Sequence, residues 1–167
     1  TAVRETVPTR DHTEIALKEF GASMRVDGEW IEIEPGAKLQ GLHLSVPGDL
    51  SGAAFFLVAA SLIPGSRLFL PRVGLNARRR ELLDYLRGAG LDLSVENETT
   101  VAGEPRGDLR VQYTPELLER PLPPIRGGLA ASLIDEIPVL AVLGSRVTGG
   151  LQVSDAAELR VKESDRI

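Results

Sequence analysis

The sequence predicts an α/β (α+β) fold built from repeated strand-helix-strand-helix-strand-strand units, βαβαββ. Three observations predict it. Segments with alternating apolar residues exchange with segments of helical period along the whole chain, with Gly and Pro at the joints. The order of elements repeats. Amphipathic helix, Gly, strand, turn and strand run from Thr9 to Val46 and return from Asn76 to Tyr113. Apolar helix, Gly, short strand and charged loop run from Asp49 to Arg80 and return from Asp135 to Arg166. Finally, each unit pairs a helix that is apolar almost all round with an amphipathic one, so the first belongs inside and the sheets face solvent. The chain holds the end of one unit, a whole unit and the start of a third.

Ala2 to Val7 reads as a short strand. Pro8, a capping Thr9 and acids in the first turn then start a helix. Ile15, Ala16, Leu17 and Phe20 give it an apolar face, and Gly21 stops it. Met24 and Val26 lead into an Asp27-Gly28 hairpin turn, and Trp30, Ile31 and Ile33 return. After the Pro35-Gly36 turn, Leu42, Leu44 and Val46 alternate as a strand. Val46-Pro47-Gly48-Asp49 breaks that pattern, and Asp49 caps a helix through Ala60 that is apolar enough to be buried on all sides. Pro64-Gly65-Ser66 ends it.

Leu68 to Leu70 is the next strand, and Val73 to Asn76 a loop with Asn76 as cap. Ala77 to Arg87 forms an amphipathic helix with Leu82, Leu83 and Leu86 inward; Arg78, Arg79 and Arg80 lie on its solvent side, where one of them could reach an anion, and Gly88-Ala89-Gly90 stops it. Strands at Leu91–Val95 and Leu109–Tyr113 flank a turn region from Glu96 to Arg106. A Pro-rich bridge, Pro121 to Ile125, precedes Asp135-Glu136-Ile137-Pro138, where Pro138 suits a first helical turn. Val139 to Leu143 is a second greasy helix, and Leu151 to Val153 the last strand. Trp30 and Tyr85 read as packing residues, and His12 as a capping or packing one.

Composition removes several classes of function. The chain has no Cys, so there is no disulfide framework, Cys-based zinc site or thiol nucleophile. His12 and His43 lie too far apart for a His-rich metal site. A net charge of −5 argues against non-specific nucleic-acid binding. The longest apolar run, Ala53 to Ile63, is too short for a membrane span and lies inside the chain. Both ends look cut, and the chain reads as a piece of a larger cytoplasmic protein.

Three loops gather polar groups: Thr9-Arg10-Asp11-His12, Ile134-Asp135-Glu136, and Glu158 to Arg166. Cations at such junctions suit phosphate or carboxylate ligands, more so if Ser164 or a neighbour caps a following helix. Asp135 beside an apolar helix is a candidate base, and Lys162-Glu163 sets an acid/base group beside a charge that tunes it. The bland alternative is helix capping and surface ion pairs, which are worth little individually.

Set together, these residues resemble a known family. Glu158-Leu159-Arg160-Val161-Lys162-Glu163-Ser164-Asp165-Arg166-Ile167 looks like the signature of EPSP synthases, the 3-phosphoshikimate 1-carboxyvinyltransferases. Thr9-Arg10-Asp11-His12-Thr13-Glu14, Val46-Pro47-Gly48-Asp49, Val73-Gly74-Leu75-Asn76 and Leu133-Ile134-Asp135-Glu136-Ile137-Pro138 agree in order. The resemblance implies an inverse α/β barrel of the enolpyruvyl transferase type, here incomplete. Residues 1–45 are then the tail of the first domain, and 46–167 the first two units of the second. It implies transfer of the enolpyruvyl group of phosphoenolpyruvate to the 5-hydroxyl of shikimate 3-phosphate, in a monomeric parent without metal or organic cofactor. Asp135 would accept a proton and contact the ring hydroxyls, and Glu163 would handle the methylene proton. Lys162, Thr9 and Arg10 would bind shikimate 3-phosphate, and Arg166 phosphoenolpyruvate. The role of Glu158 stays open. The family's N-terminal Lys-Ser pair, Gly-rich loop and late Arg and Lys ligands have no counterpart here, so the isolated piece is expected to be inactive. Two alternatives stand beside this reading: the sister enzyme acting on UDP-N-acetylglucosamine, disfavoured by the absent Cys and the Lys-Glu-Ser-Asp-Arg run, and a non-catalytic binding module of the same fold.

Overall fold

Each of the two repeated blocks folds into a three-stranded antiparallel sheet with the same topology. The computed structural model describes residues 1–6 and 10–167. In the first block, β1 (Ala2–Arg4), α1 (His12–Glu19), β2 (Met24–Asp27) and β3 (Trp30–Ile33) give strand order β1-β3-β2. In the second, β4 (Arg67–Gly74), α3 (Glu81–Ala89), β5 (Asp92–Val101) and β6 (Glu104–Gln112) give β4-β6-β5. Between them lies α2 (Leu50–Leu62); after them come α4 (Gly128–Ser132) and α5 (Ile137–Gly144). Short 3-10 helices cover Pro115–Glu119 and Ala157–Val161.

The predicted cap Thr9, with the end of the first predicted strand, lies outside the described residues; α1 itself begins at His12. Its apolar side is only half buried. Gly21, at φ 93°, takes the left-handed conformation that ends a helix. The β2–β3 hairpin turns on Gly28-Glu29, one residue later than expected, because Asp27 pairs with Trp30. Trp30 is exposed rather than packed, with Arg4 above its ring. Tyr85 does pack: its hydroxyl donates to the Pro123 carbonyl at 2.8 Å, and burial pushes its pKa up to about 12.

The core forms where α2, α3 and α5 meet β4–β6. Leu57, Leu83, Leu86, Leu109, Leu140 and Leu143 are fully enclosed. Asp49 caps α2 as predicted, accepting from the backbone N–H groups of Ser51 and Gly52. The crossover before it is pinned to β4, where Gly48 N–H donates to the Arg72 carbonyl and Gly74 N–H to that of Gly48, each at 2.8 Å. The expectation that α2 is buried all round fails. One face packs on α5 and the sheet, while Phe55 and Phe56 are exposed, because no described element covers that side.

Two predicted strands do not form. Leu42, Leu44 and Val46 alternate but stay exposed, and Leu151–Val153 makes only a single parallel bridge from Val153 to Ile125. Alternation supplies a face, whereas a strand also needs a ladder partner. The converse error falls on Glu96–Arg106. These residues are strand, and only Ala102 and Gly103 turn, both at positive φ as a two-residue hairpin loop requires. Their polar side chains gave no apolar alternation to read. The helix expected from Ala77 starts at Glu81. Residues 77–80 form a turn in which Asn76 Oδ1 accepts from Arg78 N–H at 2.9 Å, so Asn76 shapes a turn rather than capping a helix. The amide of Asn76 also donates to Asp11, tying the two blocks together, and His12 Nδ1 lies 2.5 Å from Glu104 Oε1.

Asp108, on the central strand β6, closes a bulge on each side. The Arg72 N–H donates to Oδ1 at 2.8 Å and Asn97 Nδ2 to Oδ2 at 2.9 Å; Arg72 and Asn97 both have positive φ. The bonds from Asn97 and the Arg72 backbone hold the Asp108 carboxyl below its usual range. Its contribution is therefore complete above the unfolded pKa, about 3.9, and fades as pH falls through the lower folded value. Asp108→Ala lowers the thermal midpoint at pH 7, and the gap to wild type closes on acidification. A gap that widens in acid, followed by circular dichroism, contradicts the assignment.

Candidate active site

Asp135 sits in a tight turn between α4 and α5. Glu136 N–H and Ile137 N–H both donate to the Leu133 carbonyl, at 2.8 and 2.9 Å. Leu133, Ile134 and Ile137 are buried and anchor the turn. Asp135 is left with its side chain 26% exposed.

Three cations from distant parts of the chain converge on it. Arg10, from the loop before α1, donates to Oδ2. Lys162 Nζ lies 3.6 Å and Arg166 Nη1 3.5 Å from Oδ1. The last two are delivered by the segment after the 3-10 helix Ala157–Val161. Buried Leu159 pins that segment, and Arg166 N–H donates to the Leu159 carbonyl at 3.0 Å. Glu158 accepts from Lys162 at 2.6 Å. Arg166 also pairs with Glu163, and Arg160 with Asp165 at 3.0 Å.

Burial disfavours the charged Asp135, but the charges of Lys162 and Arg10, with Arg166 behind them, outweigh it and hold the carboxyl low. Lys162 is pushed up, first by its hydrogen bond to Glu158 and, against some desolvation, by Asp135. Glu163 is held low by its own backbone N–H and then by Arg166. The cations and carboxylates of the cluster are thus paired with one another. An anionic ligand competes for the same cations, and each cation it takes relaxes Asp135 or Glu163 toward its ordinary, higher pKa.

Of the predicted site residues, the structure joins Arg10, Asp135, Lys162 and Arg166 in one cluster. Glu163 stands at its rim, 81% exposed and linked through Arg166. Thr9 lies outside the described residues. A 3-10 helix, Ala157–Val161, precedes the cations, and Arg10, Lys162 and Arg166 surround the Asp135 carboxylate. Within the Arg78–Arg80 run, Arg78 stays exposed, while Arg79 leaves the solvent side and reaches anions. Arg79 is 14% exposed, reaching Asp49 at 3.4 Å and Glu136 at 3.8 Å and donating to Ser51. Arg78 pairs with Glu5 and Asp11, each at 3.4 Å. The missed residues are Arg79, Ser51 and Glu136. Their signal was the repeat, which sets Arg79 in the loop equivalent to the one carrying Lys162 and Arg166.

Repeated α/β blocks with a carboxylate at the centre of a cation cluster define the class: an α/β protein with a converging charged site. The chain belongs to the EPSP synthase (3-phosphoshikimate 1-carboxyvinyltransferase) family, whose model matches residues 1–167. It is 48% identical over 172 residues to the 3-phosphoshikimate 1-carboxyvinyltransferase of Synechococcus sp. (strain WH7803), and 47% identical over 170 residues to that of Shouchella clausii. Each match covers 100% of this chain and 38% of the relative. A solved EPSP synthase from Acinetobacter baumannii superposes with a TM-score of 0.86 at 40% identity, covering 100% of this chain and 37% of that one. The chain therefore spans well under half the length of these relatives. Among the described residues no helix is long and apolar enough to cross a membrane.

Proposed function

We propose that this chain is a segment of an EPSP synthase that transfers the enolpyruvyl group of phosphoenolpyruvate to the 5-hydroxyl of shikimate 3-phosphate, in aromatic amino-acid biosynthesis. The observation that carries the reading is the convergence of Arg10, Lys162 and Arg166 on Asp135. Two phosphates and two carboxylates call for several fixed cations, and the transfer calls for one group that takes a proton and one that gives one. Asp135 accepts the proton of the attacking hydroxyl as its oxygen bonds to C2 of phosphoenolpyruvate. Glu163 delivers a proton to the methylene carbon, giving a tetrahedral intermediate. Loss of inorganic phosphate and of a methyl proton then restores the enol ether. Lys162 and Arg10 hold the shikimate 3-phosphate, with Thr9, and Arg166 holds phosphoenolpyruvate. Neither metal nor organic cofactor enters these steps.

In this reading residues 1–45 close a first domain and 46–167 supply two of three units of a second. Completed, the units form an inverse α/β barrel, in a monomeric cytoplasmic enzyme whose two domains close on the substrates. The resemblance over the whole chain and the shared β1-β3-β2 and β4-β6-β5 topology support it. The test is phosphate release from phosphoenolpyruvate. The full-length enzyme is expected to turn over with shikimate 3-phosphate and not with UDP-N-acetylglucosamine, and the 167 residues alone to show no turnover with either. Preference for the nucleotide sugar, or product from the isolated segment, refutes this reading.

A further inference from the structure

We infer that Arg79, Ser51 and Glu136 form a positioning relay that fixes Asp135 in its catalytic orientation. The inference rests on Asp135 being the proton acceptor. Glu136 is the next residue in the chain, yet its side chain points the other way and is only 6% exposed. A buried carboxylate is tolerated only when paired and hydrogen-bonded. Ser51, in the first turn of α2, donates to Glu136 Oε1; Arg79 Nη2 donates to Ser51 and lies 3.8 Å from the same Oε1. The guanidinium is held from behind by Asp49, the cap of α2, at 3.4 Å. Three elements are tied at one point: the start of α2, the turn after β4 and the turn before α5.

The leverage on Asp135 follows from the backbone. Asp135 and Glu136 share a peptide unit in a turn closed by two bonds to the Leu133 carbonyl. The three cations pull Asp135 outward. Glu136, anchored inward, keeps the turn from following. Apolar residues in place of such a buried charged cluster are often neutral or stabilising, so its use is in registration rather than stability. Displacement of a reacting group by about 1 Å can cost about 10²-fold in rate. That sets the scale of the relay's effect.

The experiment is steady-state kinetics on the full-length enzyme carrying Arg79→Ala, Ser51→Ala, Glu136→Ala or Glu136→Gln. Arg79→Ala is expected to lower kcat by about 10- to 100-fold, with KM for both substrates within about a factor of two, as for an interaction felt only in the transition state. Glu136→Gln, which keeps an acceptor for Ser51, should retain more activity than Glu136→Ala. The acid limb of the kcat profile should move to higher pH, because a carboxylate that swings away from Lys162 and Arg166 titrates higher. In an Asp135→Asn background, Arg79→Ala should add almost nothing. Ser51→Ala removes a single oxygen and serves if the other variants do not fold. Wild-type kcat in folded Arg79→Ala and Ser51→Ala, or additive losses in the cycle, overturns the relay alone. Near-wild-type turnover in Asp135→Asn overturns the role of Asp135 and the relay with it.

Discussion

Asp135→Asn in the full-length enzyme is expected to lower kcat by about 10²- to 10⁴-fold, the span that a positioned general base contributes. The amide keeps the volume of the side chain but cannot take the hydroxyl proton. It also removes the anion on which Arg10, Lys162 and Arg166 converge, so the cations are freed for substrate. Affinity for shikimate 3-phosphate should hold or tighten while turnover collapses. Titration calorimetry beside steady-state kinetics reads both quantities. A variant with wild-type kcat, or one whose loss lies wholly in KM, rules out the base assignment.

Glu163→Gln should cost a similar factor for a different reason. Glu163 is held low by its own backbone N–H and by Arg166, which favours the carboxylate. A carboxylate in that state is a poor acid. On the proposed function, phosphoenolpyruvate draws Arg166 away and raises the affinity of Glu163 for the proton it delivers, which would tie proton delivery to substrate binding. Because Glu163 is largely exposed, the substitution should leave the melting curve of wild type unchanged. An unchanged melting curve with lost phosphate release, followed by stopped flow, is the expected pair of results. Retention of more than half the wild-type rate defeats the assignment.

The elements read correctly from sequence are those whose cause is local. Asp49 caps α2 because a short carboxylate reaches the N–H groups two and three residues on. Gly21 and Gly90 end α1 and α3 because the left-handed conformation is open to glycine. Leu82, Leu83 and Leu86 point inward because the helical period sets them on one face. The misreadings share the opposite cause. Leu42–Val46 has the alternation of a strand and no partner, Glu96–Arg106 the partner without the alternation, and α2 has apolar sides that nothing described covers.

The cluster divides along the same line. The motif around Lys162, Glu163 and Arg166, and the resemblance it carries, named Asp135 and Arg10 as its companions while the chain was still a string. The resemblance supplies that link; residue type and spacing alone leave each of them a cap or a surface ion pair. The sequence also determined the repeat, and with it the common topology of the two sheets. Only the tertiary structure decided that three cations meet on one carboxylate, since Arg10 and Asp135 are 125 positions apart and no periodicity joins them. It alone turned Arg79 from a solvent residue into a half-buried partner of Ser51 and Glu136. Burial and charge pairing are properties of what surrounds a side chain, and those surroundings exist only once the chain has folded.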